Sequence, residues 1–432
     1  MPTRPFWTKA LRSNLPQRIA LIATLLVPLG LLHAFVLAEI CIGITDVLFL
    51  ARSFATRDFA WAKRGWVKIA LIWWAWLLLC STPLPWGSFG SAGWDMGFGQ
   101  AFVCLRFILF TAALQHWVLT SRESRRLAAW ALSLSALWIG IESWQQFLTG
   151  HNIFGDPRWM DGSLTGPFWK PRAGALYMHI LYPAMLPAVA ALLGSSRTAR
   201  YLQGLALAVA GILTSVLIGQ RMGVALTGLG LVIAAFYLPR LRWPAAIAII
   251  VAAGFLLASP ILSPGTHAKL VGETDKNLSD FSQSPYGELY TRASVMGLQS
   301  PIHGWGYNGF RELCPEPRFN GGLPTLNIPP TQLGLGACNL HPHNYYMQAF
   351  TDAGVPGLLL FVLLALWWLK DMAAGLRRHR SPLQIALFIA VVTYLWPIGS
   401  TDEFPVLYML GWLFFMLGLG LALKRDNEPD NG

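Results

Sequence analysis

Two histidines flank a proline at His341-Pro342-His343, Asn344 follows directly, and nine residues then separate Asn344 from Gly354-Val355-Pro356-Gly357. A neutral imidazole, with an ordinary pKa near 6.5, can accept a proton at neutral pH. A place at a helix N-terminus disfavours adding positive charge to it. His343 therefore reads as a general base, although a histidine that merely caps or hydrogen-bonds a loop needs the same residue types. His341 reads first as structural, with substrate contact as its alternative, and Asn344 is grouped with it as a substrate contact. Arg221 interrupts two apolar runs with only Gln220 as polar company. A charge at membrane level faces a cavity or a partner, or snorkels to headgroups. Arg292 follows Glu288 by one helical turn, the spacing of an ordinary ion pair. A planar guanidinium fork also suits bidentate contact with phosphate.

The elements that carry these groups follow from composition. Of 432 residues 54% are apolar and 12% are charged, where a soluble domain carries about a quarter charged. A soluble globule is excluded, and at about 20 residues per crossing the apolar content supports roughly ten to twelve spanning helices. The net charge of +11 would suit nucleic acid, but the basic residues stand in short clusters between apolar runs. That is a topology signal, and no nucleic-acid partner is expected. The basic start runs into an apolar stretch without a small-residue cleavage site, so the first helix is expected to act as its own export signal. No CxxC or HExxH spacing marks a metal site.

Apolar runs fall at 19–51, 66–85, 100–120, 127–148, 173–194, 201–219, 222–239, 243–263, 355–370, 382–398 and 406–423. The first is too long for one crossing of about 30 Å and reads as a hairpin turning near His33, giving about 12 transmembrane helices in an all-α integral membrane fold. With both termini in the cytoplasm, 22 of the 32 basic residues fall inside, and the remainder, including Arg106, Arg158, Lys170, Arg172, Arg221, Lys269, Lys276, Arg292, Arg311 and Arg318, lie on or open towards the outer face. The expected organisation is residues 1–262 as helices 1 to 9, 263–354 as a long periplasmic loop between helices 9 and 10, 355–424 as helices 10 to 12 and 425–432 as a cytoplasmic tail. Ser284-Pro285 predicts a helix ending near Ser300-Pro301. A short helix is expected from His343-Asn344 to Asp352-Ala353-Gly354, with Val355-Pro356 opening the next crossing.

The pattern His343-Asn344, nine residues, Gly354, two residues, Gly357 resembles the signature of the bacterial O-antigen ligase family, which is related to O-antigen polymerases and O-linked oligosaccharyltransferases. Further similarity lies in Gly166-Pro-Phe-Trp-Lys-Pro-Arg-Ala-Gly, in Gly219-Gln220-Arg221-Met222-Gly223, and in the stretch from Arg292 through Gly304-Trp305-Gly306-Tyr307-Asn308-Gly309-Phe310. The likeness covers roughly residues 160 to 370. It implies a glycosyltransferase of GT-C-type architecture in the bacterial inner membrane, without metal, nucleotide or other cofactor. The implied reaction moves a glycan from undecaprenyl pyrophosphate to a hydroxyl of the lipid A core oligosaccharide on the periplasmic face. His343 is implied as base, with Arg221 and Arg292 on the pyrophosphate.

Lys170 and Arg172 precede a helix against the positive-inside trend, which fits substrate phosphates or simple headgroup anchoring. Trp305, with Trp159 and Trp169, can stack on sugar or anchor at the interface. Asp402 and Glu403 in the last outer loop can orient a histidine or arginine, or form a solvated turn. Arg106 reads as a buried ion-pair partner. Cys314 and Cys338, placed on the oxidising side, are the disulfide candidates, whereas Cys41, Cys80 and Cys104 lie in predicted helices. Rival readings are an O-antigen polymerase, a protein O-oligosaccharyltransferase, and a flippase or transporter with its ionisable groups at the bilayer midplane.

Overall fold

The computed structural model describes residues 14–82, 94–331, 338–399, 404 and 406–424. Arg4, Lys9 and Arg12, Trp86, Asp402 and Glu403, and the tail 425–432 lie outside the described residues. Among those described there is no strand, only isolated bridges at His151–Pro157 and Leu323–Ile328.

The helices are α1 (Leu15–His33), α2 (Phe35–Thr56), α3 (Gly65–Cys80), α4 (Gly97–Val118), α5 (Arg122–Thr149), α6 (Ala173–Leu193), α7 (Thr198–Ile218), α8 (Arg221–Tyr237), α9 (Arg242–Leu262), α10 (Pro285–Gln299), α11 (Tyr345–Ala373), α12 (Pro382–Tyr394) and α13 (Leu407–Lys424). Eight of the spans are long and apolar enough to cross a membrane, and α3, α8 and α12 are shorter apolar helices. The first apolar run divides at Ala34, whose φ of −144° and ψ of 73° end α1 before α2 begins. This is the hairpin expected near His33. Arg106 of α4 pairs with Glu39 of α2 at 2.9 Å, the ion-pair role expected of it.

Helix α13 runs through the core, with Leu407 to Ala422 buried. Helix α9 stands at the opposite extreme, leaving Leu257 and Ile261 more than four-fifths exposed. An apolar surface of that kind is what a bilayer solvates.

Two outer segments are fixed by buried polar groups. Gln146 of α5 donates to the Asp156 and Pro157 carbonyls and to Thr165 Oγ1, and its Oε1 accepts from the Thr165 and Gly166 backbone N–H groups. Glu142 accepts from the Ile153 N–H at 2.9 Å. One turn of α5 thus holds residues 150–172 to the bundle. The second segment, over its described residues 263–331 and 338–344, is a folded unit with a small core of its own, in which Leu289, Met296, Phe310 and Phe319 are buried. Ser284 caps α10 by accepting from the Gly287 N–H at 3.1 Å, with Pro285 in the first turn, as the sequence predicts.

This unit is clasped to α11 through backbone. At Gly354 the helix breaks, with φ 66° and ψ −166°, a conformation open essentially to glycine alone. Pro356 supplies no N–H to the Asp352 carbonyl, and that carbonyl accepts from the Gly306 N–H at 2.9 Å instead. The Trp305 N–H reaches the Thr351 carbonyl at 2.8 Å, and the Val355 N–H reaches Pro301 at 2.7 Å. Trp76 of α3 donates its indole N–H to the Ala353 carbonyl at 2.9 Å. A Cβ on Gly304 would stand 2.5 Å from the Ala353 nitrogen, and one on Gly354 would stand 2.5 Å from the Ile302 oxygen. The approach admits no Cβ at Gly304 or at Gly354.

Candidate functional site

The residues just before α11 meet the first turns of α6 and α8, and a cavity of about 420 Å³ opens between them. One wall carries Gln220 and Arg221, another carries Asp161 and Lys269, and Tyr286, His341 and His343 close the third. Arg221 occupies the first turn of α8, whose positive dipole end faces the same space. Gln220 donates its side-chain amide to the Pro171 carbonyl, which locks the stretch around Gly219 to the stretch around Gly166. A larger cavity, of about 650 Å³, lies by the first turns of α5 and α12 and includes Arg122, Arg125 and Arg126. It shares no lining residue with the first and carries none of the motif residues.

His343 is held in the left-handed region at φ 53°, a backbone state that costs a non-glycine residue of order 1 kcal/mol and recurs at functional sites. The Asn339 side-chain nitrogen lies 2.9 Å from His343 Nε2. This makes Nε2 an acceptor, so in the neutral ring Nδ1 carries the proton and donates to His341 Nε2 at 3.1 Å. The Tyr286 ring lies edge-on to the imidazole at 5.8 Å. His341 is buried and His343 half-buried.

The cations of the cavity are arranged about two carboxylates. Arg221 donates to the Glu273 carbonyl at 3.0 Å and stands 3.6 Å from its carboxylate. Lys269 Nζ lies 2.9 Å from both Asp161 and Glu273. Burial alone would push the Asp161 carboxyl up, but hydrogen bonds from Ser163 and from Lys269 outweigh it and hold it below the usual range. Burial alone would lower Lys269, but its contacts with Glu273 and Asp161 raise it. Both groups stay ionised at neutral pH.

The predicted residues divide on this geometry. Arg221, His341 and His343 share the cavity. Arg172 stands beside it, its guanidinium 4.5 Å from the centroid of Tyr408, which lines the wall. Lys170 is exposed over the exposed ring of Trp169 at 4.3 Å, and neither lines the cavity. Asn344 caps α11, its Oδ1 accepting from the Tyr346 and Met347 N–H groups, and its amide donates to the Pro397 carbonyl at 2.7 Å. Its polar atoms are spent on positioning. Trp305 packs on Phe319 and donates to the Met296 carbonyl at 2.8 Å, inside the loop unit. Trp305 does not line the cavity.

Arg292 calls for the largest correction. It is 0% exposed. Its Nε donates to Thr331 Oγ1 at 3.1 Å, and its two terminal nitrogens donate to the Cys314 carbonyl and to Asn320 Oδ1. A buried guanidinium engaged through all three of its nitrogens in this way holds the loop, and Arg292 does not line the cavity. The sulfurs of Cys314 and Cys338 are joined, with their Cα atoms 5.8 Å apart, so the bridge and the arginine converge on one residue.

Lys269 reads from sequence as loop surface, yet it lines the cavity together with Asp161 and Tyr286. The only linear signal is its position four residues before Glu273, which an exposed ion pair would share.

Residues 204–362 match a family model described as O-antigen ligase. That stretch runs from α7 through Arg221 and the loop unit to His343, Gly354 and α11. No curated protein matches the chain. A chain in a solved structure titled "Structural coordination of polymerization and crosslinking by a peptidoglycan synthase complex" is similar at 18% identity, with a TM-score of 0.45, over 85% of this chain and 98% of that one. A likeness at that level says nothing of function.

Proposed function

We propose that this chain, whose residues 204–362 match a family model described as O-antigen ligase, is an O-antigen ligase that transfers a glycan from undecaprenyl pyrophosphate to a hydroxyl of the lipid A core oligosaccharide. The reaction is placed on the periplasmic face of the inner membrane, with both lipid-linked substrates entering from the bilayer through about twelve spanning helices. One observation carries the reading: a single cavity holds two cations, Arg221 and Lys269, together with an imidazole, His343, whose acceptor nitrogen is defined by its neighbours.

The residues fit the steps of such a transfer. The acceptor hydroxyl takes the place of the Asn339 amide at His343 Nε2 and gives its proton to that nitrogen as its oxygen bonds to the anomeric carbon. The bond from that carbon to the phosphate oxygen breaks, and the electron pair stays on the diphosphate. Arg221 and Lys269 meet the charge that develops there. His341 receives the Nδ1–H and fixes the ring. Arg292 and the Cys314–Cys338 bridge are assigned to holding the loop unit in place.

Purified protein with an undecaprenyl-linked glycan and one of three acceptors tests the reading: lipid A core, a second carrier-linked glycan, or a serine-containing peptide. Extension of the lipid A core is expected, and it should persist in excess EDTA. Extension of the second carrier alone makes the protein a polymerase, and extension of none of the three removes the glycosyltransferase reading.

A further inference from the structure

Glu273 stands where an anionic ligand of Arg221 and Lys269 would have to be. Its carboxylate lies 2.9 Å from Lys269 Nζ and 3.6 Å from the Arg221 guanidinium, and Asp161 supplies the second carboxylate at 2.9 Å from Lys269. Two cations and two carboxylates leave the cluster neutral. Arg221, Lys269 and Asp161 line the cavity. Glu273 enters from the short helix Glu273–Ser279, its side chain 44% exposed, so it can turn to solvent without unpacking a core.

We propose that Glu273 is a resident competitor of the diphosphate, and that Lys269 is the second diphosphate-binding cation beside Arg221. The inference rests on the glycosyl-diphosphate reading above and extends it to the fate of the product. In the donor both phosphates are diesters and carry one negative charge each. Transfer forms the bond from the acceptor oxygen to the anomeric carbon, breaks the bond from that carbon to the phosphate oxygen, and sends the acceptor proton to His343. The leaving undecaprenyl pyrophosphate then ends in a terminal phosphate that can ionise once more. The product is the more anionic of the two ligands, and two unopposed cations would hold it longer than the donor. A carboxylate tethered within contact distance refills the cation pair as the product leaves. Asp161, held by the Ser163 N–H at 3.0 Å, keeps Lys269 in place throughout.

The test compares wild type, Glu273→Gln and Asp275→Asn, with inorganic pyrophosphate and undecaprenyl pyrophosphate as ligands in a detergent binding assay, and with product inhibition of transfer as a second readout. Asp275 is an exposed carboxylate on the same short helix and carries the same charge change. Glu273→Gln is expected to bind undecaprenyl pyrophosphate about three- to tenfold more tightly, as for loss of a partly exposed ionic competitor. Its multiple-turnover rate should fall relative to its own first turnover, with stronger inhibition by added undecaprenyl pyrophosphate than in wild type. Lys269→Gln should weaken binding of both ligands. Equal affinity in wild type and Glu273→Gln overturns the inference and leaves the transfer reading standing, as does an equal gain from Asp275→Asn. If wild type and Glu273→Gln both fail to bind either diphosphate, the site reading falls with it.

Discussion

Replacing Arg292 by lysine separates a ligand from a clamp. The arginine is wholly buried and makes three hydrogen bonds, to Thr331, the Cys314 carbonyl and Asn320. A lysine keeps the charge but offers one nitrogen, from a shorter stem, to partners spread around a planar fork. At most one of the three bonds survives in a relaxed geometry, leaving one or two buried acceptors without a donor, since Asn320 is only half-buried. At about 1–3 kcal/mol for each buried group left unsatisfied, the loop unit should lose roughly 1–6 kcal/mol. Local stability of a segment this size rarely exceeds that by much, so residues 285–331 should open without disturbing the helices beneath. Hydrogen exchange in detergent reads the effect directly: amides of α10 and of Gly309–Leu313 should lose protection in Arg292→Lys, while those of α5 and α13 keep theirs. Transfer should fall with loop protection and recover in part where lower temperature or bound substrate closes the loop. An Arg292→Lys protein with wild-type protection across 285–331 and no affinity for pyrophosphate would refute this account and return Arg292 to the substrate.

Four other expectations follow from the same geometry. His343→Ala should reduce transfer by about 10²- to 10⁴-fold with membrane insertion unchanged, as measured on purified protein; activity within a few-fold of wild type removes the base. Gly354→Ala puts a methyl 2.5 Å from the Ile302 oxygen at a φ of 66°, so the variant should insert but show a protease-sensitive loop, and an intact loop would contradict the clasp. The Cys314–Cys338 bridge spans 24 positions, and the chain-entropy argument assigns it about 3 kcal/mol. Maleimide should label neither cysteine in unreduced, denatured protein, and dithiothreitol should expose both. Because Asp161 sits below its usual range and Lys269 above its own, their contact contributes fully between the ordinary carboxylate and ammonium ranges and is lost as pH falls through the depressed carboxyl pKa or rises through the raised ammonium one. Pyrophosphate binding should therefore not change through titration of this pair between pH 5 and 8, and Asp161→Asn should not alter the pH profile in that window.

Local signals in the chain carried much of this architecture and parts of the site. The hairpin at Ala34, the cap at Ser284 and the break at Gly354 are each set by chain length or by one residue's backbone chemistry, and each falls where the sequence points. His343 and Arg221 stand out because a polar motif in a glycine-rich setting, or a charge among apolar residues, has few innocent explanations. Arg292 misled for the opposite reason. An arginine that matches a family position looks the same in one dimension whether it grips a phosphate or three loop acceptors. Lys269 and Asp161 lie 108 positions apart and meet because Gln146 pins one segment, while Arg158 bonded to Ser263 Oγ and Thr266 bonded to the Leu217 carbonyl hold the start of the other beside it. No local pattern encodes such a meeting.

The clasp between Gly304–Gly306 and the broken turn of α11 is made by main-chain atoms alone. Beside it, side chains also hold the unit to α11, with the Phe350 ring packed against Gly297 and Ser294 Oγ donating to Met347 Sδ. The joint therefore divides by kind: main-chain hydrogen bonds set the conformation of the broken turn, and the packed side chains next to it set how closely α10 rides along α11.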